Sequence, residues 1–136
     1  MPAPSEQAAP LSDEAFLDRF ERRALRSFTH TDHVRLAFIH ARRGGVEAAV
    51  AGARQIRGFA ADAGATAKYH DTLTVAWARV IAHLVSRSAE VAFPGFLTAH
   101  PELQDRGLLR RHYSDARLWS EEARARFVEP DLRPLP

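Results

Sequence analysis

The stretch from Tyr69 to Ser86, YHDTLTVAWARVIAHLVS, carries the pattern that most restricts how this chain can fold. His70, Leu73, Thr74, Trp77, Ile81 and Leu84 fall on one narrow arc when each residue advances by about 100°. A helix with such a stripe must lay it against other helices or a sheet, because exposed apolar surface of that extent is costly in water. No run of alternating apolar and polar residues is long enough to supply a sheet, so the partners are helices. The expectation is an all-α fold: a small bundle of four main helices, followed by short C-terminal helices and an extended Pro-rich tail.

The other helices follow from their start and stop signals. Ser12, followed by Asp13 and Glu14, opens a first helix over about 12–27 with Phe16, Leu17, Phe20 and Leu25 as its stripe. Thr29 with Asp32 three residues on resembles a shortened capping box, and this second helix runs to Gly44-Gly45. A third helix over about 46–62 is Ala-rich, and its interior Gly52 lets a neighbour approach closely. The last eight residues, EPDLRPLP, should be extended and strapped along the bundle. Residues 1–11 hold three prolines and read as a flexible arm, leaving 12–136 as one domain.

Composition excludes several classes of chemistry. With no cysteine, the chain has no disulfide, thiolate metal site or cysteine nucleophile, so any metal must take nitrogen or oxygen ligands. The opening MPAPSEQAAPLSDE lacks a basic start followed by an apolar run, and no segment approaches the roughly 20 apolar residues of a membrane span. A cytoplasmic protein with no membrane partner is expected. The sequence pI near 9.6 reflects a net charge of only +2 carried almost wholly by arginine. In LDRFERRALR and EEARARF the arginines alternate with acids, as on solvated helix faces, which disfavours a nucleic-acid partner. RGLLRRHY concentrates three arginines suited to an anionic ligand, although a solvated face is its plainer reading.

The seven histidines carry the functional reading. His30, His33 and His40 share a stripe of the second helix with Ala37, and a His-x-x-His pair on one turn can chelate zinc, iron or copper. His70 begins the apolar stripe of the fourth helix, where an imidazole must find a partner or stay neutral. An up-down-up-down bundle makes helices two and four parallel, so their starts share one end and His30, His33 and His70 meet there. Three nitrogens with open positions are what a catalytic divalent metal uses. Asp71, about 100° from His70, would then support an imidazole N–H or act as acid or base. His40 is expected in a polar core position, His83 and His100 at the surface, and Thr74 is placed to bond back to the carbonyl of His70.

The segments FTHTDHVRLAF, YHDTLTVAW and LLRRHYSDARLWSEEARARFVEPDLRPLP resemble those of a family of small uncharacterised bacterial helical proteins, over nearly the full length. That family shows a Phe-Thr-His-x-x-His start, a Tyr-His-Glu/Asp-Thr segment and a Pro-rich end. The resemblance implies no reaction. It places emphasis on Phe28, Thr29, His30, His33, Tyr69, His70, Asp71 and Thr72. The histidine spacing is also loosely similar to DinB-type helical bundles, which bind a metal through three histidines.

Two functions are therefore expected of such a chain. One is a metal-dependent enzyme acting on a small molecule, with zinc, iron or copper on His30, His33 and His70 and with Asp71 assisting. The other is a non-catalytic helical module that binds a small ligand or a protein, its histidines serving as caps and buried hydrogen-bonding groups. A homo-oligomer burying an apolar patch is compatible with the second.

Overall fold

A computed structural model describes residues 11–136. The chain is all-α, with no strand among the described residues. The expected arm, residues 1–11, lies outside the described residues except for Leu11. No described helix is long and apolar enough to cross a membrane.

Helix α1, Asp13–Glu21, begins at Ser12, whose hydroxyl accepts from Ala15 N at 3.1 Å, and it buries Phe16, Leu17 and Phe20. It ends well short of the expected residue 27. Arg23 adopts a left-handed φ of 58°, a costly state for a residue with a β-carbon. Its guanidinium holds that turn by donating to the carbonyls of Phe20 and Glu21 and to Asp62 at 2.8 Å.

Helix α2, His30–Arg54, starts with the expected capping box: Asp32 N donates to Thr29 Oγ1 at 3.2 Å and Thr29 N donates to Asp32 Oδ2 at 2.9 Å. The helix is broken at Gly44 and Gly45, and the second of these has φ 77°, which glycine adopts without a steric cost. The two legs, 30–43 and 46–54, fold back on each other. A β-carbon at Gly52 would fall 2.2 Å from the His40 ring, so glycine there is what lets the imidazole lie against the second leg. Helix α3, Ile56–Asp62, continues after Gln55, so the expected single helix over 46–62 is divided.

Helix α4, Asp71–Arg87, is the centre of the bundle. Its buried set is wider than the stripe read from the sequence: Val75, Ala76, Ala78, Val80 and Ala82 are buried, whereas Leu73 and Leu84 are only partly so. Small residues on its flanks let several neighbours approach at once. The first leg of α2 runs parallel to it. His30 touches Trp77 near their starts, and Arg42 donates to Glu90 O beyond the end of α4. The expected parallel relation of these helices is therefore present, with the second leg of α2 running back between their starts and ends.

After α4 come α5, Phe93–Ala99, then tight turns at Pro101–Gln104 and Leu108–Arg111. Two short helices follow, α6, Asp115–Leu118, and α7, Glu121–Ala125, capped by Ser114 and Ser120. The tail is strapped to the bundle as its prolines suggest. Tyr113 Oη donates to Val128 O at 2.7 Å, Leu132 N and Arg133 N donate to His112 O, and Leu135 is buried.

Candidate functional site

His70 does not lie inside α4; it is the residue that caps it. Its backbone is extended, and its Nδ1 accepts from Leu73 N at 3.1 Å, replacing a hydrogen bond that the first helical turn lacks. The other ring nitrogen, Nε2, lies 2.8 Å from Leu118 O. A carbonyl only accepts and an amide N–H only donates, so these two contacts assign the neutral tautomer with hydrogen on Nε2. Burial holds the His70 pKa below its ordinary value, against the raising effect of the Leu118 carbonyl.

The three residues beside His70 are committed in the same way. Tyr69 Oη donates to Asp71 Oδ1 at 2.6 Å, and burial followed by this bond pushes the phenol up to about 12. Asp71 is buried, and it accepts from Arg54 Nη2 at 3.0 Å and Nε at 3.3 Å and from Arg57 at 3.5 Å. Burial alone would raise the Asp71 pKa. The hydrogen bonds from Arg54 and Tyr69 and the two guanidinium charges outweigh it, holding the carboxyl below the usual range. Thr72 Oγ1 donates to Arg126 O at 3.0 Å and accepts from Val128 N at 3.1 Å, pinning the tail to α4. Thr74 Oγ1 donates back to His70 O at 2.8 Å, as its position suggested. The segment Tyr69-His70-Asp71-Thr72 thus joins α4 to α2, to the α6 end and to the tail.

On α2, His30 donates from Nε2 to Leu103 O at 2.8 Å and sets its ring edge-on to Trp77, centroids 4.8 Å apart. His33 lies beneath it. Its Nε2 is sealed from solvent and has no hydrogen-bond partner among the described residues. Burial, helped by the neighbouring charge of His30, lowers its pKa to about 4, so the ring is neutral at pH 7.

His30, His33 and His70 all line one cleft of about 820 Å³ at the end of the bundle where α2 and α4 begin. Trp77 and Trp119 line it as well, and these are the only tryptophans in the chain. Asp71 is not part of this wall; its carboxylate faces Arg54 and Arg57. His112 holds the tail through Nδ1 to Arg133 O at 3.0 Å. His40 occupies the expected core position against Gly52, and His100 packs on Phe96 at 4.8 Å.

Sharing a cleft is not the same as sharing an ion. Among the described residues no group of three or more histidine, cysteine, aspartate or glutamate side chains is placed to hold a metal ion. Both His70 nitrogens are occupied, and His30 uses one of its own on Leu103. Ligation by His70 would strip α4 of its cap or leave the Leu118 carbonyl unpaired. The donor set therefore does not fit the zinc, iron or copper centre expected from the spacing. Asp71, with its oxygens taken up by two arginines and a tyrosine, is a structural carboxylate in this arrangement.

Sequence reasoning missed the rim of the cleft. Lys68, Asp105, Arg106, Arg110 and Trp119 all line it, contributed by turns and short helices that no periodic pattern marks. The one signal was RGLLRRHY, two of whose arginines, Arg106 and Arg110, are on this rim. No family model matches the chain, and neither a curated protein nor a solved structure matches it.

Proposed function

We propose that this chain is a non-catalytic helical module that binds a small molecule in the cleft between the starts of α2 and α4. The supporting observation is the division of labour around that cleft. Its volume of about 820 Å³ lies in the range of small-molecule sites, Phe28, Tyr69, Trp77 and Trp119 supply aromatic wall, and the wall histidines His30 and His70 are spent on the fold. His70 fixes the α4 start and the α6 end, and His30 fixes the turn at Leu103. Such a site is rigid before any ligand arrives, which reduces the ordering cost of binding.

The chain carries its own reporter for this reading. Both indole N–H groups belong to tryptophans that line the cleft, so a two-dimensional amide NMR spectrum contains two indole signals and both observe the site. A chemically diverse set of small fragments, neutral and charged, is expected to include compounds that shift these signals saturably. The reading fails if compounds bind only elsewhere, with both indole signals unmoved, or if none binds.

A further inference from the structure

The rim of the cleft is charged asymmetrically. Lys68, Arg106 and Arg110 face one acid, Asp105. Lys68 and Arg106 are exposed and make no ion pair or side-chain hydrogen bond among the described residues. Arg110 is 3.8 Å from Asp115, both side chains being more than two-thirds exposed, which makes that pair a weak one. Asp105 is in part withdrawn, because its Oδ1 accepts from Gly107 N at 2.9 Å. Arg54 and Arg57 nearby are, by contrast, committed to the Asp71 carboxylate and are not free to meet a ligand.

Trp119 is the second, independent observation. It is 51% exposed, an unusual state for so large an apolar side chain, yet it is held in place. Its backbone closes α6 by donating to Asp115 O at 3.0 Å. Its ring stands edge-on to the His70 ring, centroids 5.5 Å apart and planes at 85°, and His70 is itself fixed by two hydrogen bonds. A rigid indole left open on a cleft wall offers flat apolar surface at little entropic cost.

We infer that the ligand of this cleft is a flat aromatic ring bearing an anionic group, the ring packed on Trp119 and the anion met by Lys68 and Arg106. This rests on the reading of the cleft as a small-molecule site and names the class of molecule. An aliphatic anion would leave the indole face unmatched, and a neutral aromatic would leave the two cations unpaired.

Three probes change one property at a time: 2-naphthoate, the neutral 2-naphthalenemethanol, and the non-planar decahydro-2-naphthoate. Calorimetric titration of the full chain should give the tightest binding for 2-naphthoate, with each of the others weaker by about tenfold or more. The Lys68→Gln, Arg106→Gln double variant should bind the acid and the alcohol alike, and Trp119→Leu should lose the preference for the flat ring. All three positions are exposed, and an Arg87→Gln, Arg111→Gln double variant, exposed and off the cleft, matches the loss of two charges. Affinity for 2-naphthoate should also weaken between about 0.05 and 0.5 M salt. Equal binding of the alcohol, equal binding of the decahydro acid, or unaltered selectivity in the variants would overturn the inference. If none of the three probes binds while other fragments move the indole signals, the ligand class is wrong and the cleft reading stands. If nothing moves those signals, both fall.

Discussion

His33 makes stability depend on pH in a calculable way. In the unfolded chain its imidazole titrates near the model value of 6.5, whereas burial and the charge of His30 lower it to about 4 in the folded protein. The unfolded chain therefore takes up a proton that the folded chain refuses, and stability falls as pH drops through that interval. A displacement of this size corresponds to about 3 kcal/mol, present in full above pH 6.5, lost progressively toward pH 4, and unchanged below it. His33→Leu removes the titration with an apolar side chain of similar bulk, and it removes a sealed nitrogen that has no partner among the described residues. The variant should be at least as stable as the wild type at pH 7. Urea midpoints measured from pH 7.5 to 4.5 should then show a shallower acid decline for the variant, the two curves separating by up to that amount. Taking the difference between the chains cancels the contributions of His40 and His70, whose pKa values are also lowered. Parallel curves, or a His33 ring signal that titrates near 6.5 in the folded protein, would refute the reasoning.

Three further substitutions test how the bundle around the cleft is held together. His70→Ala should destabilise the chain by about 2–4 kcal/mol in chemical denaturation, from a lost cap and an unpaired Leu118 carbonyl; His70→Asn, able to cap the helix, should recover part of this. Gly52→Ala should cost about 1–3 kcal/mol because the new methyl meets the His40 ring, and the penalty should shrink when His40→Ala is combined with it. Asp71→Asn should lower stability through its contacts with Arg54, Arg57 and Tyr69 while leaving fragment binding in the cleft unaltered, as titration of the indole signals will show. Zinc added to the metal-free protein should not bind near stoichiometrically; tight binding abolished by His30→Ala and by His70→Ala would restore the metal centre.

The parts of the fold legible in the sequence are those set by local rules. Ser12, Thr29 with Asp32, and the Gly44-Gly45 break each act through neighbouring backbone, and each does what its residue type predicts. That His30, His33 and His70 line one end of the bundle follows from helix order and parallel packing, but the cluster on one ion expected of them is not present among the described residues. Their chemistry was not. Periodicity places an imidazole on a face but cannot say which carbonyl its nitrogen reaches, and Leu103 and Leu118 come from a turn and a short helix 73 and 48 residues away. The same limit hid the early end of α1, which depends on Arg23 reaching Asp62, and the cleft rim, whose residues sit on turns placed by tertiary packing. His70 looked like the first member of an apolar stripe when its role is that of the cap before it.

The account rests on the cleft being a binding site whose histidines serve as its frame. The most direct measurement is the two-dimensional NMR spectrum of the wild-type chain titrated with the diverse fragments, followed at the indole signals of Trp77 and Trp119 and at the amide of Leu73. The account predicts saturable shifts of the indole signals with the Leu73 amide unmoved, since its hydrogen bond to His70 is part of the wall. Binding compounds that leave both indoles untouched, or that displace the Leu73 amide because His70 has turned to meet the ligand, would contradict it.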